Sequence, residues 1–404
     1  MDAVKSIAGI FASLAAGGYS VSLCGFSAID RYLNLPALPF LRAETNADIA
    51  VLARCAENLR YPGVEIADAA VDALEGTCYF SCTDRDEQKD FSPSPTYSFP
   101  LLSFGYDWHT RHFQDPRGVY PLLRDLLRKK PGEEGDAASV SFNAKAGQYR
   151  LAMDASLILS RYDFGAEISQ SVCAFTTFLH SLSSQPKPES EAQRAFLCCL
   201  MVSPRPDRGL ELLRRTGFLG EFWPEIACYD DVDHSKEFHP EGNVWNHTLE
   251  TFRHRKPGTS GAFDLRLSLG LLLHDAGKPV SASIGNHRFD GHAELGARTA
   301  ARFLERLGFD APLVSDVSFL VKNHMLPAAL KRLPVAKTGG IMDSPLFPAL
   351  MELYRCDESS SFKGLDGYYE NSAAYQAYLK NARNPYRSPD GKKIGLQNRR
   401  YRAR

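Results

Sequence analysis

The sequence predicts an α+β protein, in which a small mixed α/β head is followed by an all-helical body and a further helical domain. The chain has 404 residues, more than a single hydrophobic core usually holds. Short β-prone segments alternate with helical ones in the first third, whereas apolar residues recur at three- and four-residue spacing from Met153 onward. We therefore expect a head at residues 1–130, a helical neck or body at 131–230, a helical domain at 231–360 and a basic tail at 361–404.

The head segments follow one another in a mixed order. The first segment, the apolar run Ile7–Ala16, is predicted to be an amphipathic helix and not a signal sequence. Apolar residues recur there at helical spacing, and the flank carries Asp2 as well as Lys5 and so has no net positive charge. The remaining segments are a β-prone segment at Tyr19–Leu23, a helix at Phe26–Leu33, a strand or strand end at Asp48–Val51, a helix through Leu59, and strands at Gly76–Cys82 and Tyr97–Tyr106.

The rest of the chain is predicted to be helical. Its apolar residues mark these helices: Ala155–Tyr162, Glu167–Leu182, Glu191–Val202, a helix, turn and short helix within Pro204–Pro224, Trp245–Phe252, Phe263–His274, Glu294–Leu307, Ala311–Asn323 and Phe347–Asp357. The segment after about Asn381 has few apolar residues, and we expect it to be disordered.

Composition restricts the class of protein. The formal net charge of -1 gives no overall attraction to nucleic acid or membrane, although nine Lys/Arg against one Asp between Lys380 and Arg404 make a basic tail. The nine cysteines are scattered and odd in number, which fits reduced thiols in the cytoplasm better than a disulfide framework. No apolar run after the first helix is long enough to span a bilayer. Oligomeric state does not follow from these features.

The segment Leu269–Gly296 contains the most specific chemical signal. His274 and Asp275 directly follow an apolar run, so both side chains are expected to be buried. Burying an adjacent imidazole and carboxylate costs free energy unless they have a partner such as a divalent metal ion. Gly277 and Lys278 follow, offering a close backbone approach and a cation near a phosphate. We therefore expect His274, Asp275 and Lys278 to be catalytic.

Further candidate ligands lie on or near the ends of successive predicted helices, so several helices can point them into one interior. Together with His274 and Asp275, they are His247, His292, His324 and Asp357. Nitrogen and oxygen ligands without thiolate suit Mn²⁺, Fe²⁺, Ni²⁺, Mg²⁺ or Zn²⁺, and the spacing leaves open whether one or two ions bind. The other histidines are interpreted as ordinary core or surface residues.

These residues resemble the HD superfamily of metal-dependent phosphohydrolases. That family's pattern of a His, a His-Asp pair and a distant Asp maps onto His247, His274, Asp275 and Asp357, and the two further histidines of its two-metal members match His292 and His324. The resemblance implies that water activated by metal attacks a phosphomonoester or a cyclic phosphodiester.

A wider segment, roughly Ala192–Asp357, contains four motifs in order: GLELLRRTGFLGEFWPEI, HPEGNVWNHTLETF, LLLHDAGKP and FDGHAELGARTAARFLERLGF. With these motifs the segment resembles bacterial tRNA nucleotidyltransferases, the CCA-adding enzymes, and related poly(A) polymerases that carry a C-terminal HD domain. This resemblance implies RNA or tRNA as a partner and a nucleotidyltransferase-like head.

The head departs from the pattern of that family. That family begins its head with a pair of glycines followed by Arg-Asp, and only Gly25 and Asp30 remain of this motif here. Asn46 and Asp48 align with the two metal-binding aspartates of the family, so an amide replaces one of the two carboxylates. An amide cannot bridge two dications. In the neck, Asp154 remains while the arginine positions are lost. The resemblance therefore implies a degenerate head site, which would need ATP or CTP and Mg²⁺ only if it were active.

Three functions remain open. The first is a metal-dependent phosphohydrolase acting on an RNA end or a nucleotide, attached to a degenerate head. The second is an active nucleotidyltransferase that adds nucleotides to tRNA or RNA 3′ ends. The third is a non-enzymatic RNA-binding scaffold, which would not require a full ligand set.

Overall fold

A computed structural model describes residues 6–56, 58–62, 67–73, 76–82, 97–128, 147–163, 187–233, 242–283, 289–361 and 364–393. The chain divides into two compact units. The N-terminal unit contains residues 1–219 and 257–263, and the C-terminal unit contains residues 220–256 and 264–404. The finer division of the N-terminal part into head and neck remains a prediction.

A mixed sheet forms the centre of the N-terminal unit. Its described strands are β1 (Val21–Cys24), β2 (Phe40–Thr45), β3 (Leu59–Arg60), β4 (Ala69–Ala73), β5 (Gly76–Cys82), β6 (Gly105–Asp107) and β7 (Phe113–Gln114). They lie in the order β3-β4-β5-β2-β1-β6-β7. β2 pairs with β5 in parallel, with Arg42 opposite Tyr79, and the other neighbouring strands are antiparallel.

The described helices of this unit are α1 (Ile7–Ala16), α2 (Phe26–Leu33), α3 (Ile49–Cys55), α4 (Tyr120–Arg128), α5 (Gln148–Arg161), α6 (Ser190–Met201) and α7 (Pro206–Arg215), with a 3-10 turn at Pro100–Ser103. Side chains alternate between the two faces of a strand, so each face of β5 has its own partners. On one face, the Phe80 ring packs edge-on against Phe11 of α1 at 5.9 Å. On the other, Tyr79 stacks on Phe40 and donates a hydrogen bond to Glu191 of α6.

The C-terminal unit is helical. Its described helices are α9 (Pro224–Ala227), α10 (Val244–Arg253), α11 (Leu265–Leu273), α12 (Lys278–Ser283), α13 (His292–Arg306), α14 (Ala311–Asn323), α15 (Val335–Met342), α16 (Phe347–Ser359) and α17 (Asp366–Arg383), preceded by α8 (Phe218–Phe222), with 3-10 turns at Cys228–Asp231 and Pro327–Ala329. The apolar α11 is almost wholly buried. Large aromatic side chains fill the surrounding core, as where Trp223 meets Phe303 edge-on at 6.0 Å.

The predicted α+β class is confirmed, and α1, α2, β5 and α14 have the predicted bounds. The strand predicted at Asp48–Val51 is wrong. Asp48 is instead the N-cap of α3, its carboxylate accepting the Val51 N–H at 2.7 Å, and α3 ends at Cys55 rather than near Leu59. A side-chain oxygen that satisfies a free N–H at a helix start favours the helix over an extended strand.

Other segments also differ from the prediction, which named neither β2, β4, α4 nor α15. Of the strand predicted at Tyr97–Tyr106, only Gly105 and Tyr106 lie in a strand, β6, because Pro100 begins a 3-10 turn. The sequence pattern did not predict α17, whose Tyr375 packs on Phe347 with ring centroids 4.5 Å apart. The helix predicted at Glu167–Leu182 lies outside the described residues.

None of the helices in the described ranges has both the length and the apolar content needed to cross a bilayer. Within the same ranges, every cysteine is a free thiol.

Candidate metal centre

Three helices of the C-terminal unit that carry or lead into predicted ligands have starts fixed by side-chain caps. Asn243 caps α10, which carries His247, and Asp264 caps α11, which leads directly into His274 and Asp275. Asp310 caps α14, which ends at Asn323, directly before His324. Each cap accepts a backbone N–H of the first helical turn, and this sets where the helix begins. The register of each helix then determines which way its ligand points.

His247, His274 and Asp275 form one group of potential ligand atoms. The Nε2 atoms of the two histidines are 3.2 Å apart. Asp275 Oδ2 lies 3.3 Å from His274 Nε2 and 3.8 Å from His247 Nε2. All three side chains are almost fully buried. Asp357 extends this group, because its Oδ1 lies 3.0 Å from His247 Nε2.

Asp275, His292 and His324 form a second group. The Nε2 atoms of its histidines are 3.1 Å apart. Asp275 presents its other oxygen here, with Oδ1 3.7 Å from His292 Nε2 and 4.0 Å from His324 Nε2. The two groups therefore share one carboxylate, which offers one oxygen to each. A carboxylate can bridge two cations in this way, whereas an amide cannot.

Hydrogen bonds to backbone carbonyls set the orientation of three histidines. Nδ1 lies 2.8 Å from the carbonyl oxygen three residues earlier in His274, His292 and His324. A carbonyl oxygen only accepts, so each Nδ1 carries a hydrogen, and Nε2 is the atom that each ring turns to the centre. Such a partner behind a histidine is the usual support of a metal ligand.

The electrostatics of the cluster favour a bound cation. Burial lowers the pKa of His292, and burial together with neighbouring His274 lowers the pKa of His324 to about 4, so both rings are neutral near pH 7. Burial opposes ionisation of Asp275, but His274 and Lys278 outweigh it and hold the pKa of this carboxyl well below its usual range. Burial likewise opposes ionisation of Asp357, but contact with His247 outweighs it and lowers the pKa.

The second group therefore presents the ionised Asp275 carboxylate and the unprotonated Nε2 atoms of His292 and His324. Two nitrogen lone pairs that face each other at 3.1 Å repel unless a positive ion lies beside them. The donor set of imidazole nitrogens and carboxylate oxygens, without thiolate, is one that Mn²⁺, Fe²⁺, Ni²⁺ and Zn²⁺ accept. The residues present fit one or two divalent ions.

Lys278 lies at the edge of this cluster. Its Nζ is 2.7 Å from Asp275 Oδ2, and its side chain remains partly exposed. Gly277 precedes it at a point of very close backbone contact, since a Cβ there would overlap the carbonyl oxygen of His292. The absence of a side chain at Gly277 thus lets α13 and its ligand His292 approach Asp275.

The structure does not bring the predicted site residues of the head together into a group of potential metal ligands. Gly25, at φ 58°, begins α2, and Asp30 of that helix is buried. Asp30 Oδ1 accepts hydrogen bonds from Arg161 Nε at 2.6 Å and from the Tyr162 hydroxyl at 3.0 Å. Burial raises the pKa of Asp30, and the contact with Arg161 offsets part of that effect.

Asn46 and Asp48 follow β2 instead of lying on it. Asn46 Oδ1 accepts the Ser20 N–H at 2.8 Å, and exposed Asp48 caps α3. Within the described part of the chain, the groups of three or more potential metal ligands include neither Asp30, Asp48 nor Asp154.

Asp154 lines a cavity of the N-terminal unit, and its Oδ2 accepts a hydrogen bond from Ser98. Sequence reasoning missed Arg42 of β2 and Arg150 of α5, which line the same cavity. The signal for Arg42 was the alternation of Phe40, Arg42 and Glu44, which puts these three side chains on one face of the strand.

Residues 244–355 match the family model of the HD domain. The CC-adding tRNA nucleotidyltransferase of Thermus thermophilus is 37% identical over 152 residues, which cover 36% of this chain and 34% of that protein. Residues 244–355 are therefore an HD domain, within a chain that is similar to tRNA nucleotidyltransferases. The bifunctional uridylyltransferase/uridylyl-removing enzyme of Mycobacterium tuberculosis is 30% identical over 239 residues, which cover 57% of this chain and 27% of that enzyme.

One comparison with a solved structure concerns the fold of the chain. The chain aligns with a tRNA-processing enzyme in its apo form I at a TM-score of 0.50 and 12% identity, over 93% of this chain and 90% of that one. At this identity the likeness establishes the fold alone. The chain spans about a third or less of the length of the curated relatives named above.

Proposed function

We propose that the HD domain hydrolyses phosphoesters with the help of divalent metal ions. One observation carries this proposal. The Asp275 carboxylate offers one oxygen to the pair His247 and His274, and the other to the pair His292 and His324. Divalent ions held there would lower the pKa of a water molecule and offset charge on phosphoryl oxygens.

The residues of the metal centre and its surroundings would have separate roles in such a reaction. The histidines are held with Nε2 toward the centre by their backbone contacts, so little reorganisation is needed. Lys278 Nζ contacts Asp275 from a partly exposed position, where it can also donate to a phosphoryl oxygen. The buried apolar residues of α11 behind His274 exclude bulk water from that side.

The relatives indicate a substrate class. The enzyme of M. tuberculosis is described as both uridylyl-transferring and uridylyl-removing, and removal of a uridylyl group breaks a bond to phosphorus. The relative in T. thermophilus acts on tRNA. We infer that this chain acts on an RNA end or a nucleotide in the cytoplasm, where its free thiols remain reduced.

Purified full-length protein, freed of metal and reloaded with Mn²⁺, Ni²⁺ or Mg²⁺, tests the proposal. We expect it to cleave a 2′,3′-cyclic nucleotide or a phosphorylated RNA end. The Asp275→Ala variant should lose this activity entirely because it removes the carboxylate common to both groups. The matched control is His254→Ala, which removes a histidine of the same unit whose Nε2 lies 3.5 Å from Glu250. Activity that persists in Asp275→Ala would refute the proposal.

A second candidate function is nucleotidyl transfer to tRNA or RNA 3′ ends from ATP or CTP, with Mg²⁺ in the head. The resemblance to the CC-adding relative favours it. One observation argues against nucleotidyl transfer. The two Mg²⁺ ions of that reaction need neighbouring carboxylates, but the face of β2 that includes Arg42 carries Phe40 and Glu44, with no two carboxylates at alternate positions. Incubation with tRNA lacking its 3′ end and labelled ATP or CTP distinguishes the two functions. Incorporation that survives Asp275→Ala would establish transfer, and silence in both assays with retained RNA binding would favour a scaffold.

A further inference from the structure

His247 differs from His274 and His324 in its position along its helix. Those two histidines directly follow the ends of α11 and α14, and Nδ1 of each contacts the carbonyl oxygen of a residue in the last helical turn, Leu271 or Val321. Carbonyl oxygens of a last turn lack a partner within the helix, so they can accept a hydrogen bond from a side chain. A histidine in this position is oriented by the helix that precedes it.

His247 instead lies within α10, where its own backbone N–H donates to the Asn243 carbonyl oxygen at 3.1 Å. Inside a helix, each carbonyl oxygen accepts the N–H of the residue four positions later, so α10 uses the carbonyl oxygens around His247 for its own hydrogen bonds. The side chain of Ser360 supplies a partner for the ring, because its Oγ lies 3.1 Å from His247 Nδ1. Ser360 is the C-cap of α16, so this support comes from a different helix.

The hydrogen of the Ser360 hydroxyl determines the direction of this contact. Ser360 Oγ lies 2.6 Å from the backbone carbonyl oxygen of Asp357, and a carbonyl oxygen only accepts. Since a hydroxyl has one hydrogen, Ser360 Oγ donates it to Asp357 and accepts a hydrogen bond from His247 Nδ1. This arrangement puts a hydrogen on Nδ1 and leaves Nε2 as the ring atom that can bind a metal ion.

The end of α16 contacts both ring nitrogens of His247. Asp357 Oδ1 lies 3.0 Å from Nε2, and Ser360 Oγ lies 3.1 Å from Nδ1. Asp357 and Ser360 are three positions apart, a spacing that places two side chains on the same side of a helix. His247 is 1% exposed and Ser360 is 9% exposed, so bulk water competes poorly for Nδ1. The ring is therefore held in one orientation by two groups from one helix.

We propose that Ser360 is a positioning residue of the metal centre, whose hydroxyl holds His247 with the hydrogen on Nδ1 and with Nε2 available to an ion. The inference rests on the metal centre of the proposed function, and it does not depend on which phosphoester is cleaved. The group that contains His247 thus relies on a side chain that binds no ion itself. In the second group, backbone carbonyl oxygens orient His292 and His324. Loss of the Ser360 hydroxyl should therefore weaken the binding of one ion and leave the other unchanged.

Calorimetric titration of metal-free, full-length protein with Mn²⁺ tests the inference. Ser360→Ala should weaken the binding of one ion about ten- to a hundredfold, because loss of the partner behind a ligand histidine usually costs that much in metal affinity. Ser359→Ala is the matched control, since the Ser359 hydroxyl donates to the Arg355 carbonyl oxygen of the same helix. This control should bind Mn²⁺ as the wild type does. Equal affinities in Ser360→Ala and Ser359→Ala would overturn the inference.

A spectroscopic measurement on the wild type does not depend on how Ser360→Ala folds. Protein labelled with ¹⁵N in histidine and loaded with diamagnetic Zn²⁺ gives NMR signals that show which ring nitrogen carries a hydrogen, and the signals of His247 are those absent from His247→Gln. We expect the hydrogen of His247 on Nδ1, in slow exchange with water, and faster exchange in Ser360→Ala but not in Ser359→Ala. A hydrogen on Nε2 would overturn the inference.

Metal binding and phosphoester cleavage separate this inference from the proposed function. Wild-type protein that binds no ion would overturn both. Ions that bind to the wild type and bind more weakly to Ser360→Ala, without cleavage of any phosphoester, would support the role of Ser360 and refute the proposed function.

Discussion

Asp30 and Arg161 form a buried ion pair, with each side chain about 4% exposed. Arg161 also donates to the Pro36 carbonyl oxygen, and Tyr162 donates to the same Asp30 oxygen as Arg161 does. The sequence assigned Asp30 to a degenerate catalytic site. In the structure its contacts tie α2 to the end of α5, which is a structural role.

Replacement of Arg161 by Leu should therefore destabilise the protein by about 3–5 kcal/mol, because it leaves Asp30 buried without its counter-ion. Urea denaturation measures the change. Arg208→Leu is the control, since the Arg208–Asp163 pair is partly exposed and contributes about 1 kcal/mol or less. A loss in Arg161→Leu no larger than that of the control would contradict the structural role.

Asp275 and His324 belong to different numbers of ligand groups in the metal centre. Asp275 belongs to both groups of metal ligands, whereas His324 belongs to one. Titration with Mn²⁺ followed by metal analysis should give two ions per chain in the wild type, one in His324→Ala and none in Asp275→Ala. Each variant lacks a ligand that the remaining side chains cannot replace. Equal stoichiometry in the two variants would mean that Asp275 is not shared.

At the scale of elements, α12 and α13 meet through glycine. Gly277 lies against His292 and Gly296, and a Cβ at Gly277 would lie 2.6 Å from the Gly296 nitrogen. Overpacking of this kind usually costs about 1–3 kcal/mol, and here the obstructing atoms are backbone. Gly277→Ala should therefore lower the unfolding temperature and also weaken Mn²⁺ binding, because it pushes His292 away from Asp275.

Gly340→Ala is the control for that prediction. Gly340 lies in α15, and nothing would lie within 4 Å of a Cβ there. Alanine is a better helix former than glycine, so this variant should be unchanged or more stable by about 0.5–1 kcal/mol. Calorimetry of both variants checks the pair, and equal unfolding temperatures would argue against close packing at Gly277.

Helical spacing was the most informative pattern in the sequence. It predicted α1 and α14 with their observed bounds because an amphipathic helix repeats one apolar face. It failed around Asp48, where a short apolar run satisfies either a strand or a helix and the deciding contact is a side-chain cap. It also missed α17, whose buried tyrosines are separated by polar residues.

The sequence predicted the residues of the metal centre, but it did not predict the cavity of the N-terminal unit. His274 and Asp275 are adjacent, so the sequence itself singles them out, and the structure brings four further named side chains near them. Arg42 and Arg150 are separated by more than a hundred positions and become neighbours only through the packing of α5 on the sheet. A single sequence contains no signal for that proximity.

For the molecule as a whole, the residues of the candidate metal centre all lie in the C-terminal unit. Adding Mn²⁺ at about a hundred times its dissociation constant should stabilise the folded C-terminal unit by about 2.7 kcal/mol. Differential scanning calorimetry should show a shift that EDTA reverses and that Asp275→Ala lacks. A shift in Asp275→Ala as large as that of the wild type would contradict the assignment of the ion to this centre.

The carbonyl oxygens that accept a hydrogen bond from Nδ1 of His274, His292 and His324 affect how the protein acquires its metal ions. Each belongs to the residue three positions before its histidine, so the orientation of the ring is complete once that short stretch of backbone has formed. The chain can then fold first and acquire its ions afterwards, by exchange with the surrounding pool. Since intrinsic affinities rank divalent ions in nearly the same order at most such sites, the ion carried in a living cell would reflect local abundance at the time of loading.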